Sequence, residues 1–215
     1  MIFLFNGPPS SGKDEACTFF KEKKGFTHIS FKKQLFIETC KLFDVPIDWF
    51  MGNYENTKEN KVEELGGISR RQALIYTSET HIKPVYGLDY FGRKAADEIE
   101  IGVDYCFSDC GFNDEIIPII NKVGAAAMII VQLTRQGCDF SSDSRRYING
   151  TLVQELVLEA ETPIIAPHIL PDKFPIKTYR VHNNGRVESF HTILEQIHEK
   201  EFNARKINQE KGKSS

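Results

Sequence analysis

The stretch that decides the fold is Gly7-Pro8-Pro9-Ser10-Ser11-Gly12-Lys13-Asp14, which follows the apolar run Met1-Ile2-Phe3-Leu4-Phe5 and a single Asn6. It matches GxxxxGK in the setting that pattern needs: a short apolar strand before it, and after it a helical pattern carrying Cys17, Phe19 and Phe20. The glycines let backbone N–H groups curl around a phosphate chain. The helix N-terminus adds the positive end of its dipole, and Lys13 reaches the outer phosphates as a point charge. Gly7, Pro8, Pro9, Ser10, Ser11, Gly12, Lys13 and Asp14 are therefore expected to hold a nucleotide. Asp14 stands where Ser or Thr ordinarily holds Mg²⁺. A carboxylate can take that ion directly or through water, although an acidic residue also suits any first helical turn.

Outward from this loop, strand-like apolar runs alternate with helical patterns, the signature of a parallel sheet covered on both faces. The expected strands are 2–5, 27–30, 105–108, 127–133 and 178–182. The expected helices are 13–24, 32–43, 70–82, 89–99, 114–123 and 187–202. Gly25 and Gly124 follow helices, while Ser69 and Asn113 precede them. This gives one α/β domain over residues 1–202 with a five-stranded parallel sheet. Residues 44–67, rich in Asn and Gly, read as a mobile insertion over one edge, and 136–175 are similarly mixed. Residues 203–215 read as a disordered polar tail.

The 215 residues, 40% apolar and 27% charged with 16 Phe and 7 Tyr, are enough for a substantial core and exclude a large multidomain machine. The net charge of −3, from 27 basic and 30 acidic residues, excludes a DNA-coating protein. Cys17, Cys40, Cys106, Cys110 and Cys138 are an odd, scattered set that reads as reduced thiols. A strand spacing of four would place Cys106 and Cys110 on one face, with no second pair to complete a zinc site. The opening apolar run is too short for a signal peptide or a membrane span, and no window approaches ~18 apolar residues, so a soluble cytoplasmic protein is expected.

In open α/β sheets ligands bind at the carboxyl ends of strands, which marks Asp109 at the end of the third expected strand. It is a candidate for holding Mg²⁺ through water, for accepting a proton from an attacking hydroxyl, or for capping a loop. Guanidinium groups suit the equatorial oxygens of a phosphoryl group in transfer. Arg70 and Arg71 open a helix, Arg93 lies on the next, and Arg135 follows the fourth strand. Arg145 and Arg146 lie in the polar stretch 138–147, which reads as a flexible lid. Trp49, Phe50, Tyr54, Tyr86, Tyr90 and Phe91 offer stacking surfaces for a base and serve equally well as core. Asn183-Asn184-Gly185 reads as a turn that starts the last helix; its side chains could hydrogen-bond a purine, although plain turn chemistry accounts for it more simply.

The GxxxSGKD loop, the Ser69-Arg70-Arg71 helix start, the strand ending at Asp109 and Arg135 after the next strand together resemble the bacteriophage deoxynucleoside monophosphate kinases, within the thymidylate and adenylate kinase-like P-loop clan. The segments 135–140 and 143–145 also look like the phage 5-hydroxymethyluridine DNA kinases. The resemblance implies a P-loop NMP-kinase-like fold with a lid and a helical acceptor-binding insertion. It implies ATP and Mg²⁺, with γ-phosphoryl transfer to a pyrimidine deoxynucleotide, first 5-hydroxymethyluracil in modified DNA and second a free monophosphate. By position, Gly7–Asp14 would bind ATP, with Asp14 on the metal; Arg70, Arg71 and Arg93 would bind the acceptor; and Lys13, Asp109, Arg135 and Arg145 would carry the transfer. A non-enzymatic nucleotide switch shares the loop, yet the Asn-Lys-x-Asp element such GTP switches carry is missing from the sequence.

Overall fold

The structure, a computed structural model, describes residues 1–141, 143–148 and 176–213. The expected readings for Ser142, for residues 149–175 within the mixed segment 136–175, and for Ser214–Ser215 lie outside the described residues. Five strands form one parallel sheet: β1 (Ile2–Asn6), β2 (Thr27–His28), β5 (Tyr105–Cys110), β6 (Met128–Thr134) and β7 (Lys177–His182), in the order β2-β5-β1-β6-β7. The all-parallel five-stranded α/β architecture expected from the sequence is the one observed.

Alternation along β1 sorts its side chains between two cores. Ile2 and Leu4 face the layer of α2 (Phe31–Phe43), α7 (Tyr90–Glu98) and α8 (Asn113–Val123), with Phe31, Phe91, Phe107 and Ile116. Phe3 and Phe5 face the layer of α1 (Lys13–Lys24) and the last helix, with Phe20, Phe190 and Leu194. The helix following β1 thus covers one face and the helix following β5 the other. Their loops diverge and leave a crevice at the carboxyl ends of β1 and β5.

A register shift shapes that crevice. Leu4 pairs with Phe107 but Asn6 pairs with Cys110, so two steps along β1 match three along β5. The extra residue inverts the alternation. Cys106 therefore packs with Phe20 and Phe3, whereas Cys110 packs with Phe107 and Ile116 on the opposite face. The expectation that the two thiols share a face is corrected, and the cause is the bulge. All five cysteines are free, and burial pushes the Cys110 thiol above its ordinary range.

The insertion is more ordered than its composition suggests. It folds into α3 (Ile47–Met51), α4 (Tyr54–Thr57) and an antiparallel pair, β3 (Lys61–Val62) with β4 (Ile68–Ser69). Phe50 and Leu65 centre its small core, with Phe36, Trp49, Tyr54 and Leu74 around them. Ser69 caps α5 (Arg70–Tyr76) through a capping box with Gln72. The single helix expected over 70–82 gives way at Thr77–Ile82 to a wide π-helical segment ahead of α6 (Lys83–Tyr86), where Pro84 has no N–H to continue the helical bonding.

The last helix, α9 (Val187–Lys213), runs past the boundary expected at Phe202. Glu201 is buried and accepts from Lys177 Nζ at 2.8 Å and from the Tyr179 hydroxyl, and Arg205 Nη2 donates to the Ala127 carbonyl at 2.8 Å. These anchors carry the helix into the polar stretch, correcting the disordered tail for residues 203–213. Among the described residues no helix is long and apolar enough to cross a membrane.

The closest backbone approach that supports the crevice lies between α7 and α8. A Cβ on Gly92 would stand 2.2 Å from the Glu115 carbonyl oxygen. Backbone cannot retreat as a side chain can, so Gly92→Ala is expected to lower unfolding free energy by about 1–3 kcal/mol, measured by urea denaturation.

Candidate functional site

The phosphate loop turns out of β1 with almost no space to spare. A Cβ at Gly7 would come within 2.5 Å of the Leu133 carbonyl, and Gly12 takes φ 104°, a left-handed conformation that disfavours side chains. Gly12 caps α1 with no side-chain hydrogen bond, so the free N–H groups of the first turn remain for a ligand. The buried Ser11 hydroxyl likewise has no hydrogen-bond partner among the described residues. Asn183 Nδ2 donates to Ser11 O at 3.0 Å, and Asn184 Oδ1 accepts from Gln136 N at 2.7 Å. Asn183 thus braces the loop and Asn184 the turn after β6, roles beyond turn chemistry.

Lys13 folds across the loop, Nζ donating to Pro8 O at 2.6 Å. Burial, helped by the nearby Arg145 charge, lowers its pKa to about 8. A phosphate at the loop would reverse that depression, because its negative charge stabilises the ammonium that burial disfavours. Arg135 Nη1 donates to Ser10 O at 3.3 Å and stands exposed at the loop's outer side. Asp14 is exposed beside Lys13. Among the described residues no group of three or more His, Cys, Asp or Glu is arranged to hold a metal. Mg²⁺ keeps several waters and takes one or two carboxylates plus phosphates, so a lone Asp14 beside a bound polyphosphate fits it.

The segment 143–148 is stitched over the sheet's edge. Asn6, fully buried, donates from Nδ2 to Cys110 O and Arg146 O, each at 3.0 Å, and accepts from Ile148 N at 2.7 Å. Gln132 Nε2 donates to Ile148 O at 2.8 Å, and the Tyr147 hydroxyl to Leu133 O at 3.0 Å. Where the sequence suggests a flexible lid, these residues fix Arg145 among Lys13, Asp109 and Glu115, whose charges act on one another. The reason is tertiary: the anchors lie on two strands of the sheet, Asn6 on β1 being more than a hundred residues away in the chain.

Asp109, two residues after Phe107 on β5, reaches the start of α2. Its Oδ2 accepts from Ser30 Oγ at 2.7 Å and Lys32 N at 2.9 Å, and its Oδ1 from Phe31 N at 3.3 Å. It therefore caps a helix distant in sequence, with both oxygens engaged, and a base role would have to compete with those bonds. Glu115, on the first turn of α8, is 5% exposed. Burial, followed by the Asp109 charge, raises its pKa to about 8. In the sequence it looks like an ordinary acidic residue at a helix start, and only the packing of α7 against α8 reveals its desolvation.

The other candidate arginines separate. Arg70 is buried in the insertion, Nη1 donating to Thr57 Oγ1 at 3.0 Å with the guanidinium 4.6 Å from the Trp49 ring centroid. The side chain of this expected acceptor-binding residue thus packs within the insertion. Arg71 pairs with Glu59 at 3.2 Å, and its charge reaches Asp143 at the site's rim. Arg93 pairs with Asp89 and donates to Tyr86 O at 2.6 Å. It lines an open groove of about 1130 Å³ with Gln34, Glu38 and Tyr90, and no phosphate-loop residue lines that groove. That groove is where the structure places this expected acceptor-binding residue. Phe50 and Phe91 are core, and Tyr54 packs on Phe36.

No protein-family model matches the chain. No curated protein matches it either. Among solved structures it is similar to a Chloroflexus aurantiacus J-10-fl protein described as a "putative kinase", at 10% identity and TM-score 0.40, covering 93% of this chain and 96% of that one. It is also similar to shikimate kinase from Bacteroides thetaiotaomicron, at 10% identity and TM-score 0.30, covering 93% and 78%. At those scores the fold assignment rests on this chain's own sheet order and strand direction.

Glu115 gives a pH signature. Its folded pKa stands above the unfolded value of 4.5, so its favourable contribution is full below pH 4.5 and is lost as pH rises toward 8. Glu115→Gln is expected to melt near wild type at pH 5 and progressively above it toward pH 8, measured by thermal unfolding across that range.

Proposed function

We propose that this protein is a P-loop kinase that transfers the γ-phosphoryl group of Mg-ATP to a pyrimidine deoxynucleotide. The observation that carries the reading is the juxtaposition of a tight phosphate loop, its Lys13 depressed by burial, with a fixed Arg145 at the same end of the sheet. In this reading the loop N–H groups and Lys13 hold the ATP phosphates, and Asp14 takes Mg²⁺, which supplies charge neutralisation at the phosphates. Arg145 and Arg135 stabilise the charge spread over the transferring group, and Asp109 orders the start of α2 at the acceptor side.

The acceptor is proposed to be a free deoxynucleoside monophosphate. Two observations favour this over 5-hydroxymethyluracil within DNA. Of the basic residues that could rim a polymer cleft (Lys32, Lys33, Lys58, Lys61, Arg71, Arg93 and Lys94), four are already paired: Lys33 with Glu98, Lys58 with Glu55, Arg71 with Glu59 and Arg93 with Asp89. A counterion-releasing phosphate track needs cations that are not already matched. The insertion aromatics that would receive a flipped base are largely occupied in packing, Trp49 under Arg70 and Phe50 in the core.

The test is transfer of label from γ-labelled ATP, in parallel, to free deoxynucleoside monophosphates, to DNA containing 5-hydroxymethyluracil and to unmodified DNA. Label is expected on a free pyrimidine monophosphate, and Lys13→Ala is expected to reduce it by on the order of 10²-fold or more. Label on modified DNA alone would move the acceptor to the polymer. ATP turnover without transfer to any of them would replace the kinase with a nucleotide-dependent switch.

A further inference from the structure

Arg145 is held in an unusual way for an exposed-looking polar stretch. Its Nε donates to Asp143 Oδ1 at 2.9 Å and to Oδ2 at 3.0 Å, and its Nη2 also pairs with Oδ2. The Arg145 backbone N–H donates to Oδ1 at 2.9 Å as well, so one carboxylate fixes both the turn and the fork. Only the Nε–Nη2 edge is used, and Nη1 has no hydrogen-bond partner among the described residues. The side-chain stem lies where Gly111 has no Cβ: an added methyl there would come within 2.3 Å of Arg145 Cγ. Arg146 N donates to Gly111 O at 3.2 Å and closes the seat.

A long arginine side chain ordinarily loses much rotamer freedom when it engages a ligand. Here that loss is met in the unliganded fold, because Asp143 on one side and Gly111 beneath leave the guanidinium little other space. The geometry also suits the charge: burial works against the guanidinium, and Asp143 more than offsets it. Asp143 is itself largely buried, so the pair is little screened by water.

Resting on the phosphate-loop reading above, we propose that Asp143 is a positioning residue, which clamps one edge of Arg145 on the Gly111 seat so that the free Nη1 edge meets the terminal phosphoryl group of a bound nucleoside triphosphate. Asp143 touches no phosphate itself. It acts through Arg145, and its effect is confined to ligands that carry the terminal group.

The experiment compares affinity for ADP and for a non-hydrolysable ATP analogue by calorimetry, with no acceptor present. The unsubstituted protein is expected to prefer the triphosphate. Arg145→Ala and Asp143→Asn are each expected to weaken the triphosphate about tenfold or more and leave ADP within about twofold, as loss of a charge-assisted contact to one phosphate requires. Asp143→Glu is expected to keep most of the preference. In the Arg145→Ala background, Asp143→Asn is expected to change nothing further, a non-additivity that general destabilisation does not produce. Equal weakening of both nucleotides by Asp143→Asn, or an undiminished preference, overturns the positioning role while leaving nucleotide binding intact. In a separate titration with thymidine monophosphate, a loss confined to that ligand would reassign Arg145 to the acceptor and overturn the proposal too. Failure of the unsubstituted protein to bind either nucleotide overturns this proposal and the functional reading together.

Discussion

Charge buried at the carboxyl edge of the sheet is the constraint on which the rest of the site depends. Lys13, Arg145, Asp143, Asp109 and Glu115 are all largely removed from water beside one another. An isolated charge in such a place costs several kcal/mol, so each must be paired, shifted toward its neutral form, or left to await an ionic ligand. The five divide along those lines. Arg145 and Asp143 pair, Asp109 accepts from the start of α2, Glu115 shifts toward the neutral acid, and Lys13 rests on a carbonyl with its charge disfavoured. Lys13 is the member whose balance a phosphate would restore most directly.

Rigidity at that edge comes from polar groups that make no contact with a phosphate. Asn6 ties three backbone groups from β5 and from residues 146 and 148, and Gln132 in turn accepts from Arg180 Nη2 at 3.0 Å. These bonds bridge more than a hundred residues of chain between Asn6 and Arg146, so the site is assembled only when the sheet is. The bulge in β5 adds a second device. By inserting one residue before Cys110 it reverses the face of Cys110, so that Asp109 and Cys110 both lie on the α2 side of the sheet.

Much of this was legible before folding was considered. The apolar run, the glycines and Lys13 forced a strand, a tight turn and a helix, since no other local structure reconciles those residue types at that spacing. The alternation of patterns located the five strands to within a few residues, most plainly β1, β5 and β6, where burial on both faces leaves a near-continuous buried run. Arg70, Arg93 and the insertion aromatics show where such reading stops. An arginine or a tryptophan carries the same letter whether it binds a phosphate or packs against its neighbour, and Trp49 beneath Arg70 is a contact between residues 21 positions apart. The polar stretch around Arg145 and the continuation of α9 were hidden for the same reason: their anchors lie elsewhere in the chain.

The sequence by itself thus determined the phosphate loop, the layer order of helix and strand, and the chemical kinds of residue available at the sheet's edge. Local sterics and hydrophobic periodicity act over a few residues and are written in short stretches. Tertiary structure alone decided which charges share a desolvated space, which arginine is held with an edge to spare, and which acid loses its charge. Desolvation and charge coupling depend on what surrounds a group in three dimensions, and no stretch of sequence carries that information.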